Sequence, residues 1–162
     1  MSLTHNGNLA YLAGAIEHAP DKGIPWRREL TSFLEDELAH RVFDPTINEM
    51  ALLDERERIG FRSWKKADLP RFRKTVRKII DNDLNMLHSS TDYVICYWDQ
   101  FTSMGGGTHG ELTCAYRLGI PVFMVTPLTI DEISGWIVAC TDEIFPDFGA
   151  LKEYLKIRYR HS

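Results

Sequence analysis

Apolar and polar positions along the chain separate into two kinds of segment. Short runs rich in β-branched and aromatic residues stand at Leu9–Ala13, Val42–Phe43, Tyr93–Trp98 and Pro121–Thr126, with a shorter candidate at Ile144-Phe145. Runs of this length bounded by polar residues read as strands. Both parities of these runs are apolar, so each strand is expected to be buried on both faces, as in a parallel sheet covered by helices. The stretches between them are long enough for crossover helices. Over Pro25–His40, the residues Trp26, Leu30, Phe33, Leu34 and Leu38 fall at helical spacing, and Pro25 suits a first turn. Further helices are predicted from about Pro70 to His88, from His109 to Leu118 with Gly119 as the stop, and from Gly149 to Ile157.

This βαβ rhythm predicts a doubly wound, flavodoxin- or Rossmann-like α/β fold. Its five-stranded parallel sheet should have the order 2-1-3-4-5 with helices on both faces, because right-handed crossovers run to either side of the first strand. The 162 residues suit one domain covering 1–162, interrupted by a charged helical insertion at about 47–72. The wider stretch Ile47–Lys78 holds ten of the nineteen Lys and Arg residues, together with five acidic residues and the aromatics Phe61, Trp64 and Phe72. Charges of both signs predict a solvated helical face rather than a nucleic-acid interface, and a lid over a site is a further use for such a segment.

Composition adds exclusions. With 44% hydrophobic and 26% charged residues the chain can bury a core, and a formal charge of -4 gives no field to attract nucleic acid or an acidic membrane surface. No apolar run reaches the ~18 residues of a membrane span, and Leu9–Ile16 lacks the basic region that opens a signal peptide, so a cytoplasmic location is expected. Cys96, Cys114 and Cys140 have neither CxxC nor Cys/His spacing and are expected as buried thiols. His5, His18, His40, His88 and His161 show no ligand spacing, so no metal site is predicted.

In an open parallel sheet, ligands bind beyond the carboxyl ends of the strands. After the third strand, Met104-Gly105-Gly106-Gly107-Thr108-His109-Gly110-Glu111 sets a glycine-rich turn ahead of a helix, where bare backbone N–H groups can approach a ligand. The plainer reading is a flexible turn with Thr108 as helix cap and Glu111 complementing the helix dipole. Neither a dinucleotide nor a flavin cofactor is indicated, because the first turn, Ala13-Gly14-Ala15-Ile16-Glu17, has no phosphate-binding run of glycines or hydroxyls. A second carboxylate cluster, Asp81-Asn82-Asp83-Leu84-Asn85, precedes the third strand, and helical geometry lets only one of its two Asp residues reach a common site.

Taken in order, these segments resemble the nucleoside 2-deoxyribosyltransferase family and its deoxynucleoside monophosphate N-glycosidase relatives. The resemblance rests on Tyr11-Leu12-Ala13-Gly14, Gly23-Ile24-Pro25-Trp26-Arg27, Asn82-Asp83-Leu84-Asn85, Ser90–Ile95, Gly107–Leu112 with Ala115, and Gly119–Val122. It implies that Glu111 is the nucleophile and Asp83 its carboxylic partner, with substrate bound by Tyr11, Gly14, Ile16, Gly107 and Thr108. Asp99 folding back is the candidate for an acid that relatives carry nearer the glycines. The implied reaction is transfer of the 2-deoxyribosyl group between nucleobases through a glycosyl-Glu intermediate, as in nucleotide salvage, with no cofactor. The alternatives are hydrolysis of deoxynucleosides or their monophosphates, and a non-enzymatic nucleotide-binding module on the same frame. Partners would be a small-molecule deoxynucleoside or nucleotide and a nucleobase, without nucleic acid or membrane. The resemblance also implies a homo-oligomer, for which Trp136 and Tyr154–Tyr159 are candidate contacts. Ala15, Glu17 and Gly105 stand where monophosphate hydrolases are expected to hold phosphate, and the Glu17 carboxylate favours a nucleoside. His109 is a weaker candidate base and Trp98 a candidate stacking partner for a nucleobase.

Overall fold

The computed structural model describes residues 7–160. Five parallel strands, β1 (Leu9–Gly14), β2 (Arg41–Phe43), β3 (Tyr93–Tyr97), β4 (Val122–Val125) and β5 (Glu143–Phe145), form one sheet in the order β2-β1-β3-β4-β5. Every residue of β1 is buried, because β1 pairs on both edges and carries helices on both faces. Alternate residues divide between two cores: Tyr11, Val94, Cys96, Val122 and Met124 face one side, and Ala10, Leu12, Ile95, Phe123 and Val125 the other. Two strand starts are pinned by carboxylates that precede the adjacent strand, since Leu9 N–H donates to Asp92 Oδ2 at 2.6 Å and Val122 N–H to Asp142 Oδ2 at 2.8 Å.

The crossovers lie close to their expected positions. Helix α1 (Ile24–Leu38) starts after Gly23 and ends where Ala39 takes a left-handed backbone, while α5 (Gly107–Leu118) stops at Gly119 with φ 70°. The final helix, α7 (Phe148–Arg158), is capped by Asp147, whose carboxylate accepts the Ala150 N–H. A short helix, α6 (Gly135–Ala139), had no periodicity to announce it. α1 and α7 cover one face through Leu30, Leu34, Leu151 and Leu155, and α5 and α6 cover the other through Leu112, Ala115 and Ile137.

Three helices fill the charged region between β2 and β3: α2 (Pro45–Leu52), α3 (Glu55–Ala67) and α4 (Leu69–Ser90). Each begins on an aspartate. Asp44 caps α2, Asp54 forms a capping box with Glu57 at α3, and Asp68 accepts the Arg71 N–H at α4. Most of the basic residues point outward, as mixed charge predicts, but Phe61 is buried and Phe72 half-buried.

Two expectations about aromatic surfaces divide. Trp136 is 68% exposed. The C-terminal aromatics instead turn inward: Tyr154 packs on Phe123 and Phe145, and Tyr159 stacks on Tyr93 with ring centroids 5.2 Å apart. Both are half-buried beneath α7, while Ile157 between them is exposed. Cys96 and Cys140 are buried, whereas Cys114 is only partly so. Among the described residues no helix is long and apolar enough to cross a membrane.

Candidate active site

The carboxyl edge of the sheet carries a cavity of about 480 Å³. Its floor is built where β1 ends. Tyr11 stacks on Phe43 of β2 and sends its hydroxyl toward α5, donating to Glu111 Oε1 at 2.8 Å. Glu111 is the fifth residue of α5, one turn beyond the free N-terminal amides. The carboxylate therefore does not serve as a helix-end complement; it opens into the cavity. Thr108 does not cap the helix either, because the capping position falls on Gly106 and has no side-chain bond. Thr108 is buried in the cavity wall beside Gly107. A Cβ at Gly106 or Gly107 would meet no protein atom within 4 Å, so bareness at these positions leaves space for a ligand.

Gly14 has the opposite reason for being small. A Cβ there would lie 2.9 Å from Trp26 Cζ2 and 3.2 Å from the Tyr97 carbonyl oxygen, so the strand end and α1 could not approach as they do. This close approach is fastened by Arg27, which is fully buried and donates to the carbonyl oxygens of Gly14 at 2.9 Å, Gly23 at 3.0 Å and Leu12 at 3.3 Å. Its Nε also lies 3.7 Å from Asp44 Oδ1. Sequence reasoning quoted Arg27 only as part of a helix start; its signal was an Arg on the apolar side of an amphipathic helix, which requires buried partners.

Asp83 comes to the same cavity from α4. It is 8% exposed, whereas Asp81, two positions earlier, faces outward. Burial, followed by the nearby Glu111 charge, pushes the Asp83 carboxyl up to about 7. Burial also raises Glu111 above the ordinary carboxylate range, while the Tyr11 hydrogen bond and the Arg27 charge pull it back. Tyr11 is itself raised, first by burial and then by the charges of Glu111 and Asp83, so it remains a hydroxyl donor. The arrangement supplies one ionisable nucleophile steadied by a hydroxyl, and one carboxyl able to hold a proton near neutral pH.

Of the candidate residues, Gly14, Ile16, Asp83, Gly107, Thr108 and Glu111 line this one cavity, with Tyr11 beneath it. Asp99 does not line it. Its Oδ1 accepts from the N–H groups of Phe101 and Thr102 and from the Thr102 hydroxyl, so the carboxylate is occupied in shaping the turn after β3. Trp98 is buried in the core and packs edge-on against His109, away from any base. His109 Nδ1 bonds the Gly105 carbonyl oxygen at 2.6 Å, and its ring lines a separate groove between α4 and α5. His5 and His161 lie outside the described residues, among which no three His, Cys, Asp or Glu side chains converge to hold a metal. The sequence offered the charged insertion as a lid over a site without naming the residues it brings to the cavity: Glu49 from α2, Phe61 and Arg62 from α3, and Phe72, Val76 and Ile79 from α4. Their signal was the aromatics interleaved among the charges.

No family model matches the chain, and no curated protein matches it in sequence. Among solved structures, the 2-deoxyribosyltransferase of the psychrotolerant bacterium Bacillus psychrosaccharolyticus superposes with a TM-score of 0.62. The match covers 90% of this chain and 91% of that one, at 22% identity. The two proteins share a fold. The likeness extends over nearly the full length of both chains, so the doubly wound sheet and its crossovers are common to them.

Proposed function

We propose that this chain, acting as one domain, belongs with the nucleoside 2-deoxyribosyltransferases and moves the 2-deoxyribosyl group from one nucleobase to another. The observation that carries the reading is the Glu111 carboxylate, hydrogen-bonded by Tyr11 and facing a cavity that it shares with the raised carboxyl of Asp83. Departure of a base from C1′ of deoxyribose develops oxocarbenium character, which a carboxylate below the ring stabilises and then captures. The Glu111 oxygen not held by Tyr11 forms the bond to C1′ as the C1′–N bond breaks. The electron pair goes to the base nitrogen, which takes the proton held by Asp83. A second base then attacks C1′ from the same face, returns its proton to Asp83 and releases Glu111, so the product keeps its configuration. Water in place of the second base gives hydrolysis. No step calls on a metal or redox cofactor.

The partners in this reading are a deoxynucleoside and a free base, as in nucleotide salvage in the cytoplasm. A monophosphate substrate is the second reading, favoured by Lys65, which lies 3.2 Å from Glu17 at the cavity rim and offsets the carboxylate that opposes a phosphate. The test is release of free base from a panel of deoxynucleosides and their monophosphates, with and without a second base. Transfer appears as a new nucleoside only when the second base is present. A protein that binds members of the panel but releases no base from any of them is a binding module.

A further inference from the structure

Transfer chemistry accounts for the end of the cavity at Glu111 but not for the wall that α2, α3 and α4 build opposite it. That wall is apolar and aromatic, with Phe61, Phe72 and Val76 among its side chains, and its polar members besides Asp83 are Glu49 and Arg62. These two are paired: Arg62 Nη2 donates to Glu49 Oε1 at 3.4 Å. The guanidinium lies over the Phe61 ring, 4.7 Å from its centroid, so its plane is held by packing as well as by charge. The pair is not saturated. Among the described residues, Nε and Nη1 of Arg62 donate to no protein atom and Glu49 Oε2 accepts from none. Arg62 keeps 36% of its side chain accessible and Glu49 18%, so the spare groups can meet a ligand. Glu49 and Arg62 line the same cavity as Asp83, whose proton the leaving base takes.

A guanidinium beside a carboxylate presents N–H donors next to an acceptor oxygen. We propose that Arg62, positioned by Glu49 and Phe61, selects nucleobases that show a lactam edge, a ring N–H adjacent to a carbonyl oxygen. Arg62 donates to the carbonyl oxygen and Glu49 Oε2 accepts from the ring N–H. Hypoxanthine, guanine, uracil and thymine have this edge. Adenine and cytosine carry an amino group where the carbonyl would stand and a bare ring nitrogen where the N–H would stand, so they set donor against donor and lone pair against carboxylate. The base is tethered to a sugar fixed at Glu111, so its edge is read in one sense. The inference rests on the proposed transfer reaction for its orientation of the substrate.

The experiment compares two matched pairs, deoxyinosine with deoxyadenosine and deoxyuridine with deoxycytidine, in the wild-type chain, Arg62→Met and Arg62→Lys. Both kcat/KM for base release and binding by calorimetry are measured. The expected result is a preference of about tenfold or more for the lactam member of each pair, collapse of both ratios in Arg62→Met, and partial recovery in Arg62→Lys. Equal use of the two members by the wild-type chain, ratios that persist in Arg62→Met, or a uniform loss across all four substrates overturns the inference. A wild-type chain that binds with the lactam preference but cleaves nothing overturns the transfer reaction and leaves this selection standing. One that binds none of the four overturns both.

Discussion

Glu111 is held between burial, which resists its charge, and the Tyr11 hydroxyl and Arg27 guanidinium, which favour it. Replacing Glu111 by Gln keeps the shape and removes the nucleophile. Base release or exchange is therefore expected to fall at least ~10²-fold, while deoxynucleoside binding, read by calorimetry, survives. Tyr11→Phe acts more gently. It keeps the stack on Phe43 but deletes the hydrogen bond to the carboxylate, so the Glu111 carboxyl rises further and the acid limb of the kcat/KM profile moves to higher pH, with a loss of about tenfold. Asp83 titrates near 7 in the folded chain against an ordinary value of 3.8. The folded state thus holds a proton that the unfolded chain has lost. The resulting stabilisation is complete below about pH 3.8 and disappears as the pH rises through about 7, leaving a buried charge above it. Asp83→Asn is therefore expected to melt roughly 3 °C or more above the wild type at pH 8, about 1 kcal/mol at this chain length, with the gap closing at pH 4. The wild-type turnover is expected to fall as pH rises through about 7, and in the same variant that fall is lost along with most of the activity. Glu111 and Asp83 were legible through the resemblance of their segments to the transferase family, and both line one cavity because α5 follows β3 and α4 leads into it at the same edge of the sheet. Asp99 misled for a local reason: a carboxylate just ahead of a tight turn satisfies the nearest N–H groups before it can reach a distant ligand.

At the level of elements, strands and crossover helices were legible because each repeats a simple period and several are bounded by Gly or by a capping Asp. Their bounds moved by a residue or two, as where β3 stops at Tyr97 and α5 opens at Gly107 rather than His109. α3 and α4 were legible as helices, and the insertion as a lid over a site, but not the side chains that line the cavity. Their inward positions, Phe61, Phe72 and Val76, are diluted by basic residues whose long stems and charged heads stay in water. Arg27 shows the same difficulty in reverse, as a charge on the buried face of α1. It ties the carbonyl oxygens of Leu12, Gly14, Lys22 and Gly23 to Asp44, so Arg27→Met strips donors from all of them at once. A loss of about 3–5 kcal/mol in the unfolding free energy from urea titration is the expected outcome, because the remaining carboxylate and carbonyls stay buried without partners.

Across the molecule, the order β2-β1-β3-β4-β5 places the ends of β1 and β3 side by side, and the cavity forms where the chain leaves the central strand for opposite sides of the sheet. Of the hydrophobic contacts named for the homo-oligomer that the resemblance implies, Trp136 is the most exposed. Trp136 stands on α6 with its Nε1 donating to Thr113 at 3.0 Å and most of its ring in solvent. Light scattering is expected to give a multiple of the 18.7 kDa chain mass for the wild type and a smaller species for Trp136→Glu. The hydrogen bond between Tyr11 and Glu111 joins residues 100 positions apart, with β2, β3 and four helices between them in the chain. A chain leaving the ribosome consequently holds no part of a working cavity until α5 has emerged and docked, and neither half of the sequence can keep one by itself. A ligand gripping this cavity ties early and late segments together, so its binding should slow hydrogen exchange in β1 and α5 together, as a single cooperative unit.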